Sequence, residues 1–140
     1  RCLATLPDVV FPVAAPRLSG LDKPLEQLPL IGCEWLEPSW LSWRRWAQLA
    51  GQAPLQKANA LRFTQYTDAV YAAVGGEGVA LGWQSLIGPH LNDGRLVRLG
   101  NLEVVPEERH SLLVPTTRTQ NRGARKLTQW LVEAFGAQQA

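Results

Sequence analysis

The residues with the clearest chemical potential lie in a polar turn near the middle of the chain. Residues 61–83 read LRFTQYTDAVYAAVGGEGVALGW, the pattern of a strand, a turn, an alanine-rich helix, a glycine stop and a second apolar strand. This order predicts one unit of a parallel α/β sheet, where ligands bind at strand ends and helix starts. The hydroxyls, amide and backbone N–H groups of Thr64, Gln65, Tyr66 and Thr67 could hold a carboxylate or carbonyl there. Alternatively, Thr64 or Thr67 serves only as a helix N-cap.

Two tryptophans are predicted to lie at the same edge of the sheet as this turn. Trp35 and Trp83 each end a predicted strand, at the edge where clefts open in open α/β sheets. Lining a cleft and ordinary packing are both consistent with that position. By contrast, Trp43, Trp46 and Trp130 recur on apolar helical faces and are predicted to lie in the core.

The sequence carries no recognisable enzyme signature. There is no G-x-S-x-G elbow and no G-x-x-x-x-G-K-[ST] phosphate loop. His90 and His110 have no acidic or cysteine neighbour at metal-ligand spacing, so surface placement is expected for both. Glu34 and Glu37 could form an acid–base pair, but helix capping and solvation are the simpler interpretation. The residues therefore indicate a binding module rather than an enzyme.

Composition limits the classes of protein that remain. A chain of 140 residues can bury one core, and 46% apolar with 19% charged residues is a globular composition. No apolar run approaches the roughly 20 residues of a membrane span. The net charge of +2 does not indicate nucleic-acid binding. A basic cluster near the C-terminus is interpreted as a solvated helix start: Arg118, Arg122, Arg125 and Lys126.

The two cysteines, Cys2 and Cys33, have neither metal nor redox spacing. They are interpreted as unpaired thiols in a reducing compartment, with a disulfide between them as the alternative. The sequence contains no methionine and a strand pattern follows Arg1 at once. We therefore expect the chain to be a piece of a longer protein.

Hydrophobic periodicity predicts an α/β fold with a mainly parallel sheet. The strand at 79–83 has no polar member, which predicts a sheet covered on both faces. Pro12 lacks a backbone donor, which predicts that its strand lies at an edge of the sheet or on a connecting segment. Strands are predicted at 9–15, 28–33, 61–63, 79–83, 96–99 and 110–114, and helices from Ser39 or Ser42 to Gly51 and at 66–74, 85–91 and 123–135.

Seven segments in order give the chain a family resemblance. They are FPVAAP, PLIGCEW, a W-x-x-W helix ending in glycine, LRFTQYTDAVYAAVGGEGVALG, LNDGRLVR, SLLVP and a final helix containing Trp-Leu. From about Val9 to Phe135 they resemble the effector-binding domain of LysR-type transcriptional regulators. The fit is best to the branch that includes the glycine-cleavage activator and the β-lactamase regulators. The most specific block is 63–82.

The resemblance implies a fold similar to type 2 periplasmic binding proteins, with two α/β lobes around a small-molecule cleft. Residues 28–99 would form the second lobe, 9–16 and 110–115 the hinge strands, and 123–135 the C-terminal helix of the first lobe. The first half of the first lobe and the N-terminal winged helix-turn-helix that binds DNA are absent from this sequence. We therefore expect a partial effector-binding domain.

The same resemblance implies a function. The chain would be the ligand-sensing part of a cytoplasmic bacterial regulator, without catalytic activity, metal, cofactor or membrane contact. It would form a dimer or tetramer and reach DNA only through the N-terminal domain. The apolar face of the final helix (Leu127, Trp130, Leu131 and Phe135) is expected to self-associate or to pack on the second lobe. A periplasmic solute-binding protein fragment is the alternative. The implied effector contacts are the turn residues Phe63, Thr64, Gln65 and Tyr66. The segment from Cys33 to Trp35 is a second contributor, and Trp83, Ala15 and Pro16 are weaker candidates.

Overall fold

The computed structural model describes residues 1–33, 41–53, 55 and 61–139. Glu34, Trp35 and Glu37, singled out above, lie outside the described residues. The chain divides into two compact units, one formed by Arg1–Asp8 with Pro106–Ala140 and one by Val9–Val105. We call them the terminal unit and the central unit.

In chain order the elements are β1 (Cys2–Leu6), β2 (Val10–Ala14), a 3-10 turn (Leu25–Gln27), β3 (Ile31–Cys33), α1 (Trp43–Leu49), β4 (Leu61–Phe63), α2 (Tyr66–Val74), β5 (Ala80–Trp83), α3 (Gln84–Asn92), β6 (Val97–Arg98), β7 (His110–Leu113) and α4 (Arg122–Gln139).

The terminal unit joins the two ends of the chain. Strand β1 pairs antiparallel with β7, with Leu6 opposite His110, and helix α4 packs against β1. Asn121 starts α4, because its Oδ1 accepts a hydrogen bond from the Ala124 N–H at 2.8 Å. The predicted strand and helix of this region are therefore both present.

The prediction that Trp130 lies in the core is wrong. Its side chain is 63% exposed, and that of Leu127 is 57% exposed. The predicted helix itself is present, because both residues lie on α4. However, a stripe of apolar residues is buried only where a partner covers it, and the two-stranded sheet of the terminal unit leaves much of this one in contact with solvent.

The central unit contains parallel and antiparallel strand pairs, where a mainly parallel sheet was predicted. Strands β3 and β4 pair in parallel, and a parallel bridge between Leu30 and Val79 links β3 to the start of β5. Strand β2 pairs antiparallel with both β5 and β6. Strands β3, β4, β5 and β6 therefore share one direction, and β2 runs against them.

The predicted edge position of β2 is wrong, because this strand lies between β5 and β6. Pro12 is accommodated by an interruption of the β6 ladder. Its carbonyl accepts a hydrogen bond from the Leu99 N–H at 2.9 Å, so its missing donor also faces this side. Strand β6 ends at Arg98, and antiparallel pairing with β2 resumes at the bridge between Val10 and Val104. The proline therefore sits where the ladder is already broken.

Both faces of the central sheet are covered, as the apolar strand at 79–83 predicted. Successive residues of each strand point to opposite faces and join different apolar clusters. On one face Val10, Leu30, Val79 and Leu81 pack with residues of α1. On the other, the cluster with α2 and α3 contains Phe11, Val13, Ile31, Ala69, Val70, Ala73, Ala80, Ile87 and Leu96.

Candidate functional site

The carboxyl ends of three parallel strands lie along one edge of the central sheet. Cys33 ends β3 and is paired with Phe63, which ends β4. Trp83 ends β5, and β3 lies between β5 and β4. The polar turn follows β4 directly, and α2 begins at Tyr66. This is the position in which open α/β sheets hold ligands.

Tyr66 is tied to the strand β5 by two hydrogen bonds. Its hydroxyl donates to the Leu81 carbonyl at 2.9 Å and accepts from the Trp83 N–H at 2.9 Å. These two backbone groups lie on the edge of β5 that faces β3. From the same edge, Val79 forms its backbone hydrogen bonds with Pro29 and Ile31. The side chain of Tyr66 fastens the N-terminus of α2 to the end of the strand.

Trp43 makes the corresponding contact with strand β3. Its buried Nε1 donates to the Ile31 carbonyl at 2.8 Å. Near the start of the two strands the backbones bond each other, with the Ile31 N–H donating to Val79 O at 2.8 Å. Toward the carboxyl ends of the strands, side chains form hydrogen bonds with the backbone: Trp43 with β3 and Tyr66 with β5.

A cavity of about 40 Å³ lies between these two strands, α1 and α2. We call it the strand-end pocket. Ser42 at its mouth is exposed, and Cys33, Tyr66 and Trp83 are half-buried, so the pocket reaches the surface. Its described lining consists of Ile31, Gly32, Cys33, Leu41, Ser42, Trp43, Tyr66, Ala69, Ala80, Leu81 and Trp83.

The structure places the predicted site residues in three different settings. Tyr66 and Trp83 line the strand-end pocket. Phe63 is half-buried and packs against the apolar cluster of α2 and α3. Thr64 and Gln65 are exposed on the turn. Trp35 falls outside the described residues, so its place in the site stays a prediction.

The N-cap expectation for the turn is wrong. Gln65, rather than Thr64 or Thr67, occupies the N-cap of α2, and its side chain makes no capping hydrogen bond. The hydroxyls of the two threonines are therefore not used as caps. At α1, however, the N-cap is Ser42, one of the two predicted serines, with its Oγ accepting from the Arg45 N–H at 3.1 Å.

Sequence reasoning missed the contribution of α1 to this pocket. Leu41, Ser42 and Trp43 bring the start of α1 against the ends of β3 and β5. The available signal was the Ser42 cap, which fixes where the helix begins. Nothing in the local sequence indicated that the Trp43 ring nitrogen would bond the β3 backbone.

A larger cavity of about 390 Å³ lies elsewhere in the central unit. Its floor includes the buried Leu28 and Trp46, and Asp22, Lys23 and Glu26 stand around it. Its described lining contains none of the predicted site residues. Position at the strand ends, rather than volume, therefore selects the smaller pocket as the candidate site.

His110 lies partly exposed at the surface, as expected, but its imidazole also contacts an acidic side chain. Its Nε2 lies 2.8 Å from Oδ2 of Asp8, a carboxylate whose side chain is only 2% exposed. Both residues belong to the terminal unit.

Among the described residues, no group of three or more histidine, cysteine or acidic side chains is arranged to hold a metal ion. Neither cysteine forms a disulfide, and none of the described helices is long and apolar enough to cross a membrane.

The mixed α/β fold with these sheets and helices is of the periplasmic-binding-protein-like type 2 class. The model of the LysR substrate binding domain matches residues 2–136, nearly the whole chain. The chain therefore belongs to the family of LysR substrate-binding domains.

Solved structures of the family support the fold assignment. The effector domain of the transcriptional regulator AmpR of Pseudomonas aeruginosa is similar at a TM-score of 0.77 and 21% identity, covering 98% of this chain and 66% of that one. The AmpR effector-binding domain from Citrobacter freundii gives 0.74 and 20%, covering 96% and 67%. The regulatory domain of CrgA, a LysR-type regulator from Neisseria meningitidis, gives 0.72 and 18%, covering 97% and 69%. The chain thus spans about two thirds of each relative. Among curated proteins, no match was found.

Proposed function

We propose that this chain is the ligand-sensing part of a bacterial LysR-type transcription regulator that binds a small-molecule effector and has no enzymatic activity. The observation that carries the proposal is a family match over residues 2–136 that coincides with a pocket at the carboxyl ends of parallel strands. The protein would act in the cytoplasm and belong to the glycine-cleavage-activator-like branch.

The proposed effector site combines the turn with the strand-end pocket. Thr64 and Gln65 are exposed and offer polar groups, while Tyr66 and Trp83 line the pocket beside them. Phe63 supports the turn from the core, and Trp35 is proposed as a further contact. An effector held there would lie in a cleft between two lobes. Residues 28–99 are proposed as the second lobe, 9–16 and 110–115 as hinge strands, and 123–135 as the C-terminal helix of the first lobe.

The regulator would act as a dimer or tetramer and would contact DNA through an N-terminal domain that precedes this sequence. A periplasmic solute-binding fragment shares the fold but is not favoured, because the matching family model describes a domain of LysR regulators. Sequencing the coding DNA immediately upstream of Arg1 separates the two. A winged helix-turn-helix supports the regulator, and a signal peptide would overturn it.

Effector binding can be tested on the chain itself. A ligand that binds the folded state raises the melting temperature, so a small-molecule library can be screened by thermal shift. For any molecule that binds, the variant with Thr64→Ala and Gln65→Ala should lose the shift while keeping the wild-type circular dichroism spectrum. The matched control is Thr117→Ala with Gln129→Ala, two exposed residues of the terminal unit. An unchanged shift in the first variant would remove the turn from the site.

A further inference from the structure

Positive charge is concentrated in one stretch of the terminal unit. Residues 109–132 contain five arginine or lysine residues and no aspartate or glutamate, whereas the rest of the chain contains nine basic and twelve acidic residues. The stretch therefore carries a formal charge of +5, and the remainder carries −3. The net charge of +2 conceals this separation. A polyanion responds to such a local concentration of cations rather than to the net charge.

Four of these five cations lie at the start of α4 or just before it. They are all exposed, and we call them the basic surface: Arg118, Arg122, Arg125 and Lys126. Half-buried residues of α4 recur at spacings of three and four and mark the side on which it packs against β1: Ala124, Thr128, Leu131 and Phe135. At 3.6 residues per turn, Arg122 and Lys126 project from the opposite side of the helix, and Arg125 lies between the two sides. The basic surface is therefore turned toward solvent.

Arg118 precedes α4 in a segment that is held against the helix. Gln120, two residues farther on, donates from its Nε2 to Thr128 Oγ1 at 3.1 Å. The exposed hydroxyls of Thr117 and Thr119 flank Arg118. Threonine hydroxyls commonly join arginine and lysine where proteins contact phosphate oxygens. The basic surface therefore combines cations with uncharged donors.

This arrangement of charge is unfavourable for the helix on its own. Arg122 lies in the first turn of α4, where the helix dipole disfavours a cation, and this turn contains no acidic residue. Arg122 and Lys126 are four positions apart, so their like charges repel. Among the described residues, no acidic side chain forms an ion pair with any member of the basic surface. A bound polyanion would relieve both unfavourable effects.

The chemistry of the basic surface fits a row of phosphates. Three of its four cations are arginines, whose planar guanidinium can bind a phosphate through two parallel hydrogen bonds. Duplex DNA carries one negative charge per roughly 1.7 Å of its axis. Side chains three or four positions apart on a helix lie about 5–6 Å from each other at Cβ, so several can contact neighbouring phosphates at once.

We propose that the basic surface binds the phosphate backbone of duplex DNA without reading its base sequence. The inference goes beyond the proposed function, which assigns DNA contact to a domain outside this sequence. Binding at the basic surface would be additional to that contact and independent of the effector.

The test is fluorescence anisotropy of labelled duplexes of about 20 base pairs and two unrelated sequences, titrated with the chain between about 50 and 200 mM salt. Both duplexes should bind with similar affinity. The logarithm of the association constant should fall linearly with the logarithm of the salt concentration, with a slope of about −3 to −4 for four cations. No binding at the lowest salt concentration, or a preference of more than about tenfold for one sequence, would overturn the proposal.

Two double variants that remove the same charge provide the matched comparison. Arg122→Gln with Lys126→Gln should weaken binding at least tenfold and reduce the steepness of the salt dependence by about 1.8. Arg44→Gln with Arg45→Gln removes two exposed cations from α1 of the central unit and should weaken binding less than threefold. Equal losses in the two variants would mean that net charge alone is responsible, and would overturn the proposal.

A single variant outside the helix keeps the test open if the double variant of α4 does not fold. Arg118→Gln should reduce the steepness of the salt dependence by about 0.9, and an unchanged slope would contradict the proposal. Labelled poly-L-glutamate distinguishes the other kind of polyanion. Binding to poly-L-glutamate without binding to the duplexes would assign the basic surface to an acidic polypeptide and overturn the DNA assignment.

Discussion

The imidazole Nε2 of His110 and the buried carboxyl Oδ2 of Asp8 share a hydrogen bond across a 2.8 Å contact. An ionised carboxylate can only accept a hydrogen bond, so Nε2 is the donor whenever Asp8 is ionised. The contact lies beside the Leu6–His110 pair of β1 and β7. The contact therefore links the residue Asp8, which follows β1, to the first residue of β7.

We expect His110→Ala to destabilise the protein because it removes a partner from a buried charge. Breaking such pairs costs about 3–5 kcal/mol when both partners are buried, and the 39% exposure of the His110 side chain reduces this to roughly 1–2 kcal/mol. The measurement is urea denaturation. His90→Ala is the control, since its buried Nδ1 has no hydrogen-bond partner among the described residues and the change should be smaller. Equal losses in the two variants would contradict a specific Asp8–His110 interaction.

Tyr66→Phe should lower the free energy of unfolding by about 1–3 kcal/mol, because it leaves Leu81 O and Trp83 N–H without the hydroxyl they share. The chain contains one other tyrosine, Tyr71, whose side chain is 62% exposed on the same helix. Tyr71→Phe should change the stability by less than about 0.5 kcal/mol. Chemical denaturation of both variants gives the comparison. Similar stability in the two would mean that the hydroxyl does not tie α2 to β5 in solution.

Gly82→Ala should destabilise the central unit because α3 packs against the sheet at this glycine. A Cβ at position 82 would lie 2.5 Å from Ile87 Cδ1 and 2.9 Å from Val13 Cγ1. Both neighbours are buried, so we expect a loss of about 1–3 kcal/mol. Gly136→Ala on α4 meets nothing within 4 Å and should be neutral or stabilising by up to about 1 kcal/mol. Melting temperatures that fall equally in both would rule out close packing at Gly82 as the cause.

The exposed residues of α4 should make the chain self-associate. Leu127 and Trp130 are 57% and 63% exposed, and contiguous apolar surface of this kind is typical of association sites. Sedimentation velocity over a range of concentrations should show a dimer or larger species that Trp130→Lys with Leu127→Lys dissociates. Val105→Lys, at a residue that is 60% exposed in the central unit, is the control and should leave the assembly intact. A wild-type chain that stays monomeric at all concentrations would contradict this prediction.

Local pattern was enough to predict where most elements lie, because periodicity reports the burial of each element. The apolar run at 79–83 predicted a strand covered on both faces, and clusters on both faces contain its residues. The serine pattern predicted the start of α1 at Ser39 or Ser42, and the N-cap is Ser42. The turn after β4 and the start of α2 followed from the change of period at Phe63.

The incorrect predictions and the missed contacts share a cause, which is dependence on residues distant in the sequence. Pro12 predicted an edge strand because proline cannot donate a backbone hydrogen bond to a neighbouring strand. The interruption of the β2–β6 pairing that accommodates Pro12 has no signal in the sequence around it. His110 is separated from Asp8 by 102 positions, so no spacing rule could pair them. The Trp130 face is amphipathic as predicted, but its burial depends on surface that another element must supply. Within the candidate site, residue types were foreseeable, whereas the two hydrogen bonds of Tyr66 were not.

The order of the two units along the chain has a consequence for how the protein folds. The central unit is continuous, whereas the terminal unit can form only when Cys2 meets Leu113. In an unfolded chain, closing so long a loop carries a large entropic cost, and a folded central unit removes most of it by holding its two ends in place. Non-local pairings of this kind slow folding. We therefore expect β1 and β7 to acquire hydrogen-exchange protection after the strands of the central sheet. Deleting residues 1–8 should abolish the terminal unit and leave the other intact.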